Sequence, residues 1–431
     1  MDYQGLRAFA LATPNMGEHH QLMGALKAIS DLTAGADNFE DFFLLPNGAE
    51  TLSDVKDPLY FSAYKNFEVY YAEVAKLLDV FMAKTDIVPQ IFVTAYTQGL
   101  NTAAAENVDM LCKAVKTYYK KNKLGMVMTA VLTSRVHKYK FVDLINVPKH
   151  LMTFKSRIRL LQDKELRKKT LVTIGTINNF NLKTVKEKHK AFTKLLSGLK
   201  KKGEMAEWRE KFECYLKTSK KAVICLGGRV DGVEIVFDVN YAKKLWTDAE
   251  RLAQAGFGVV IVNGPRTPND VTDFLYEKAL NNPQIIFQNC KRIAQDDSDR
   301  TPQRWRIYSG KYEKEFGELL KIGNIYPAVL GFGNTLVAHT MDSYSSCETA
   351  NAALPTAISS NGLYIDPSMR YDCLNLQQLL CPKYAIDWDE FVNFACNMRI
   401  EPKDLNPQIL SNPLRVFAET AINRLNLLSK S

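Results

Sequence analysis

Short apolar runs alternate with longer amphipathic stretches along most of the chain, a rhythm of strands and helices. Residues 6–11 form the first apolar run and predict a strand, followed by the turn-forming loop Thr13-Pro14-Asn15-Met16-Gly17. From Gly17 the period lengthens, and Leu22, Met23, Leu26 and Ile29 fall on one side of a helix. Residues 61–82 are aromatic-rich at helical spacing, and 87–94 read as a strand with 96–99 as its loop. A helix is predicted from Thr102 to Lys120, apolar at Val108, Leu111, Val115 and Tyr118. Strands follow at 125–133, 141–147 and 171–174. The first of these delivers Ser134, Arg135 and His137 into a basic loop.

Two basic helical stretches, 183–199 and 205–216, precede a restart of the pattern at Lys220. A buried strand at 222–226 ends in Gly227-Gly228-Arg229, a helix spans 241–255, and a strand covers 258–262. The loop Asn263-Gly264-Pro265-Arg266-Thr267-Pro268 then starts a helix at 269–280, which leads to a strand at 284–287. Strands alternating with helices in both halves predict two parallel-sheet α/β domains. The expected division is 1–218 and 219–385. A helical tail at 386–431, with helices at 388–397 and 412–428, is expected to pack back on the domains.

The stretch 324–355 carries the most chemistry. Asn324-Ile325-Tyr326-Pro327 makes a polar-aromatic turn, and 335–339 reads as a buried strand that stops at the helix-capping pair Asp342-Ser343. A strand that delivers such a pair onto a helix N-terminus leaves backbone N–H groups and a hydroxyl facing one corner, which suits a phosphate. Glu348 follows about one and a half turns later, where a carboxylate accepts hydrogen bonds from ribose hydroxyls. The plainer reading is that the pair only caps a helix and Glu348 is a first-turn acid favoured by the helix dipole.

Composition narrows the field. At 431 residues the chain is too long for one ordinary core. No apolar run approaches the roughly 18 to 20 residues that cross a bilayer. Eight scattered cysteines, with neither a CxxC pair nor a metal-ligand spacing, fit a reducing compartment, so a cytoplasmic location is expected. There is no GxGxxG fingerprint and no P-loop, which weakens hydride-transfer and P-loop readings. The net charge of +9 is concentrated in lysine clusters at 113–123, 164–169, 183–202 and 217–221. These are either solvated helix faces or a face for anionic lipid, placing the protein peripherally on a membrane. Nucleic acid is not expected as a partner, since no recognised motif accompanies the charge.

Taken in order, the loops resemble one known pattern. Gly17–Gln21 with Gly24, Phe141-Val142-Asp143 leading to Val147-Pro148-Lys149-His150, and Thr173-Ile174-Gly175-Thr176 come first. Leu226-Gly227-Gly228, Arg266-Thr267-Pro268, Asn324-Ile325-Tyr326-Pro327 and the run from Asp342 to Ala350 complete it. Over residues 5 to 365 the chain resembles a divergent, bacterial-type member of the mitochondrial-fission "elongated mitochondria" family, itself similar to GT-B glycosyltransferases. The sequence departs from the family pattern at His20-Gln21, at Pro265-Arg266, at the Asn324–Pro327 turn and at Ala353-Leu354-Pro355.

The resemblance implies two Rossmann-like doubly wound domains facing a cleft, the second holding a nucleotide sugar or nucleoside diphosphate. On that reading Gly227 and Gly228 allow close backbone approach, and Arg266 and Thr267 meet phosphate. Asn324, Tyr326, Asp342, Ser343, Ser345 and Glu348 line the nucleotide corner. Gly17 and Gln21 belong to the acceptor side. A hydroxyl acceptor must lose a proton as it attacks, so His20 is the leading base, with His19 its neighbour and His137 the second choice. No metal or cofactor is expected, the nucleotide sugar being substrate. The alternative function is a catalytically silent adaptor that recruits a protein partner at a membrane.

Overall fold

The structure, a computed structural model, describes residues 6–13, 16–33, 42–46, 49, 66–96, 102–180, 182–198, 205–227, 237–263, 267–288, 334–340, 348–350, 352, 354–359, 381, 385–397, 399–405 and 413–430. The chain folds as two units. One holds Met1–Asn179 with Ser411–Ser431, and the other holds Phe180–Asp299 with Trp305–Leu410.

In chain order the first unit contains β1 (Ala8–Leu11), α1 (Met16–Thr33), β2 (Phe43–Leu44), α2 (Phe67–Met82), β3 (Ile91–Tyr96) and α3 (Thr102–Lys121). It continues with β4 (Met128–Thr133), β5 (Leu144–Pro148), α4 (Phe154–Gln162), α5 (Lys164–Lys169) and β6 (Thr170–Thr173). The sheet order is β2-β1-β3-β4-β5-β6, with every pair parallel. Both faces of this sheet are buried, as the near-continuous apolar strands require. Because side chains alternate across a strand, Phe9 and Leu11 of β1 enter one core with Tyr70, Phe92 and Tyr119. Ala8 and Ala10 enter the opposite core with Leu22, Ala25 and Ile29 of α1. Phe9 stacks on Phe81 with ring centroids 5.5 Å apart.

The second unit opens with α6 (Leu182–Gly198) and α7 (Met205–Lys217), then β7 (Lys220–Leu226), α8 (Val239–Gln254), β8 (Phe257–Val262), α9 (Asn269–Leu280) and β9 (Ile285–Gln288). After these come β10 (Thr335–Thr340), β11 (Thr356–Ser359), β12 (Ile386–Asp387) and α10 (Trp388–Cys396). Its sheet runs β12-β11-β10-β7-β8-β9, again all parallel. Read from its other edge, this is the 3-2-1-4-5-6 order of a doubly wound nucleotide-binding domain. Both expected Rossmann-like parallel sheets are therefore present, one in each unit.

Several expectations are moved by packing. The join was expected near residue 219, yet Phe192, Phe212 and Tyr215 of the two basic helices bury against Val223 and Val260 of the second sheet. Those helices thus belong to the second unit. The tail divides as well. Trp388 and Phe391 of α10 pack into the second core, where the Trp388 indole donates to Asp248 Oδ2 at 3.1 Å. The last helix, α11 (Pro413–Leu428), lays Phe417, Ala421 and Ile422 on the first sheet's alanine-rich core. The strand expected at 87–94 starts only at Ile91, after Pro89. Ile87 and Val88, before that proline, are exposed. Two helices, α4 and α5, went unpredicted, although each carries a capping signal. Thr153 Oγ1 accepts from Ser156 N, and Asp163 Oδ1 accepts from Leu166 N.

Candidate functional site

The order of the second sheet reverses between β7 and β10, and the carboxyl ends of such a pair are where doubly wound domains receive ligands. Here the two ends are tied directly. Gly227 N donates to Thr340 O at 2.8 Å, and Thr340 Oγ1 lies 3.4 Å from Cys225 O as donor. From the neighbouring strand's loop, Thr267 Oγ1 donates to Gly227 O at 2.8 Å. Thr267 is buried, so in this arrangement its hydroxyl braces the edge around Gly227.

Beyond β10 a helical segment at 348–350 returns to the sheet. Glu348 stands on it, only 8% exposed. The neighbouring Thr349 anchors the segment through a chain of bonds. His339 Nε2 lies 2.9 Å from Thr349 Oγ1, Thr349 Oγ1 lies 3.0 Å from Thr356 Oγ1, and Thr356 Oγ1 donates to Leu354 O at 2.8 Å. Thr356 Oγ1 is thus shared between the Leu354 carbonyl and Thr349 Oγ1, and the His339 ring meets the same Thr349 hydroxyl. The buried carboxylate is thus carried on a helical start bolted to β10 and β11. Gly228, Arg266, Asn324, Tyr326, Asp342, Ser343 and Ser345 lie outside the described residues.

In the first unit the sheet order reverses between β1 and β3, and the helix leaving β1 carries Gly17, His19, His20 and Gln21. Gly17 is in its first turn, and Gln21 is buried. Thr13 Oγ1 donates to Glu18 Oε2 at 3.0 Å, a buried pair that closes the strand-to-helix corner. His20 is half-buried in the next turn, and its carbonyl accepts from Asn179 N at 3.0 Å. That bond exists because the segment after β6 crosses α1 at Gly24. A Cβ on Gly24 would stand 2.3 Å from the Asn178 carbonyl carbon, so only glycine fits. His19 turns instead toward Phe43, ring centroids 5.3 Å apart. Burial first, then the charge of His20, hold its imidazole down at about 4.

His137 belongs to a different neighbourhood, beside Tyr139 in the loop after β4. Its pKa is lowered by burial and then by the Arg159 and Arg135 guanidinium groups, and its Nε2 has no hydrogen-bond partner. Both arginines are structural ties: Arg135 Nη1 donates to Leu151 O and Arg159 Nη1 to Val136 O, each at 2.9 Å. Among the described residues no group of three His, Cys, Asp or Glu side chains is placed to hold a metal ion.

Sequence reasoning assigned no role to Glu18, Thr340 or the His339–Thr349–Thr356 chain. Thr13 followed five positions later by Glu18 was visible, but the bonds among residues on β10, β11 and the helical segment are set by tertiary packing.

No protein-family model and no curated protein matches the chain. Among solved structures, a UDP-glucosyltransferase from Polygonum tinctorium capable of glucosylating indoxyl is 10% identical, covering 99% of this chain and 98% of its own, with a TM-score of 0.43. A trehalose-6-phosphate synthase, OtsA, is 12% identical over 97% and 99% of the two chains with a TM-score of 0.37. The MurG of Acinetobacter baumannii is 10% identical over 98% and 99%, with a TM-score of 0.34. Likeness at this level assigns neither an activity nor a residue role to this chain.

Proposed function

We propose that the chain is a glycosyltransferase that takes a nucleotide-activated sugar at the carboxyl edge of the second sheet. The observation that carries the reading is the β7–β10 junction at the point of strand-order reversal, with Glu348 buried on a helical segment fixed to β10 and β11. Gly227 has no side chain to keep a diphosphate from the backbone, and Glu348 would accept the ribose hydroxyls. Asp342, Ser343, Ser345, Arg266, Asn324 and Tyr326 complete the phosphate and base contacts in this proposal. The order of loop motifs, which resembles that of the "elongated mitochondria" family, motivates the same assignment.

Transfer requires the acceptor hydroxyl to give up its proton as its oxygen bonds to the anomeric carbon. The bond from that carbon to the diphosphate oxygen breaks, and the nucleoside diphosphate leaves with the electron pair. His20 is proposed to take the proton. The test is consumption of nucleotide sugars, screened over sugars and hydroxyl acceptors, for wild type and His20→Ala. The expected result is a loss of turnover of about 10² to 10⁴ in the variant with nucleotide affinity retained. Equal rates would remove His20 as base. Nucleotide binding without transfer to any acceptor would favour the silent adaptor.

A further inference from the structure

Helix α4 presents an apolar stripe to solvent. Ser156 and Leu160 turn inward, Leu160 onto the first core, which leaves Phe154 and Leu161 exposed on the outward face with half-buried Ile158 between them, at spacings of four and three. Phe154 is 70% exposed and Leu161 73%. Single exposed apolar side chains are ordinary, but two exposed and one half-buried apolar side chain aligned on one helix form a patch that suits a partner.

The charges around the stripe say which partner. Between Phe154 and Lys169 the chain carries seven lysines and arginines against two carboxylates. Both carboxylates are engaged: Asp163 caps α5 and pairs with Lys138 at 3.2 Å, and Glu165 pairs with Lys168 at 2.7 Å. Lys155, Arg157 and Arg167 are exposed and have no ion pair among the described residues. Apolar side chains flanked by unneutralised cations complement one surface above others, the interface of an anionic bilayer. No described helix is long and apolar enough to cross a membrane, so the contact would lie in the headgroup region.

We propose that α4 and α5 dock the protein on anionic membranes, with Phe154, Ile158 and Leu161 inserted at the interface and the surrounding cations on lipid headgroups. The docking stands independently of sugar transfer. The experiment is co-sedimentation of the full chain with phosphatidylcholine vesicles, with or without phosphatidylserine. The variants are Phe154→Ser with Leu161→Ser, and Lys155→Glu with Arg157→Glu. A charge-matched control, Lys84→Glu with Lys120→Glu, alters exposed cations elsewhere on the same unit.

Wild type and control should bind phosphatidylserine vesicles, and bind phosphatidylcholine alone far more weakly. Each α4 charge reversal should lower vesicle affinity by about five-fold or more. The double serine variant should lose at least about ten-fold. All variants should keep the wild-type melting temperature, because the altered side chains face water. Failure of wild type to bind anionic vesicles would overturn the proposal. So would equal binding by the α4 variants, or equal loss in the control. A stripe that instead pairs two copies would show as a changed oligomeric state in the serine variant with vesicle binding intact, and that too would overturn it.

Discussion

His150 shows how far a single side chain can be governed by its surroundings. It is only 2% exposed, and burial followed by the Arg135 guanidinium holds its imidazole down at about 3, against 6.5 for an ordinary histidine. Between those values the unfolded chain takes up a proton that the folded chain refuses, so folding stability rises with pH through that window. The contribution is complete above about 6.5 and is lost as pH falls toward about 3. The loss is at most about 1.4 kcal/mol for each pH unit crossed. Urea midpoints measured from neutral pH downward should therefore fall more steeply for wild type than for His150→Asn. Parallel slopes would show that the imidazole does not stay neutral in the folded state. The sequence displayed His19, His20, His137 and His150 as histidines near predicted loops. It ranked His20 ahead of His137 as a base but could not show which of the four burial holds neutral, because their environments come from residues distant in the chain: Phe43 beside His19, and Arg159 beside His137.

At the scale of elements, the crossing of α1 by the segment after β6 depends on one missing methyl. The clash facing a side chain at position 24 is with the backbone of Asn178, which no rotamer change relieves. Gly24→Ala should cost about 1 to 3 kcal/mol of stability, read as a lower denaturation midpoint. An unchanged midpoint would contradict the close crossing. Apolar periodicity found most of the strands and long helices because both sheet faces are buried and the strands read as continuous apolar runs. It misplaced the start of β3, since Ile87 and Val88 look like strand residues but precede Pro89, which has no N–H to give a ladder. It missed α4 and α5, whose signal lies in Thr153 and Asp163 as caps rather than in a long periodic face.

At the scale of the molecule, two doubly wound sheets were legible because strand, loop and helix repeat in both halves of the sequence. The division between them was not. Basic helices α6 and α7 look like a linker in composition, and only the burial of Phe192, Phe212 and Tyr215 assigns them to the second unit. For the candidate site, Gly227 and Glu348 were picked out by position after apolar runs, and the structure gives each a fixed setting. The bonds from Thr340, Thr267 and Thr349 that create those settings join residues far apart in sequence. The proposed function requires this edge of the second sheet to hold a nucleoside diphosphate. Isothermal titration of nucleoside diphosphates into wild type and Glu348→Gln tests it most directly, because glutamine keeps the shape of the buried side chain and removes its charge. Wild type should bind at least one nucleoside diphosphate, and Glu348→Gln should bind it about ten- to hundred-fold more weakly at an unchanged melting temperature. No binding of any nucleoside diphosphate to wild type, or equal affinity in the variant, would contradict the account.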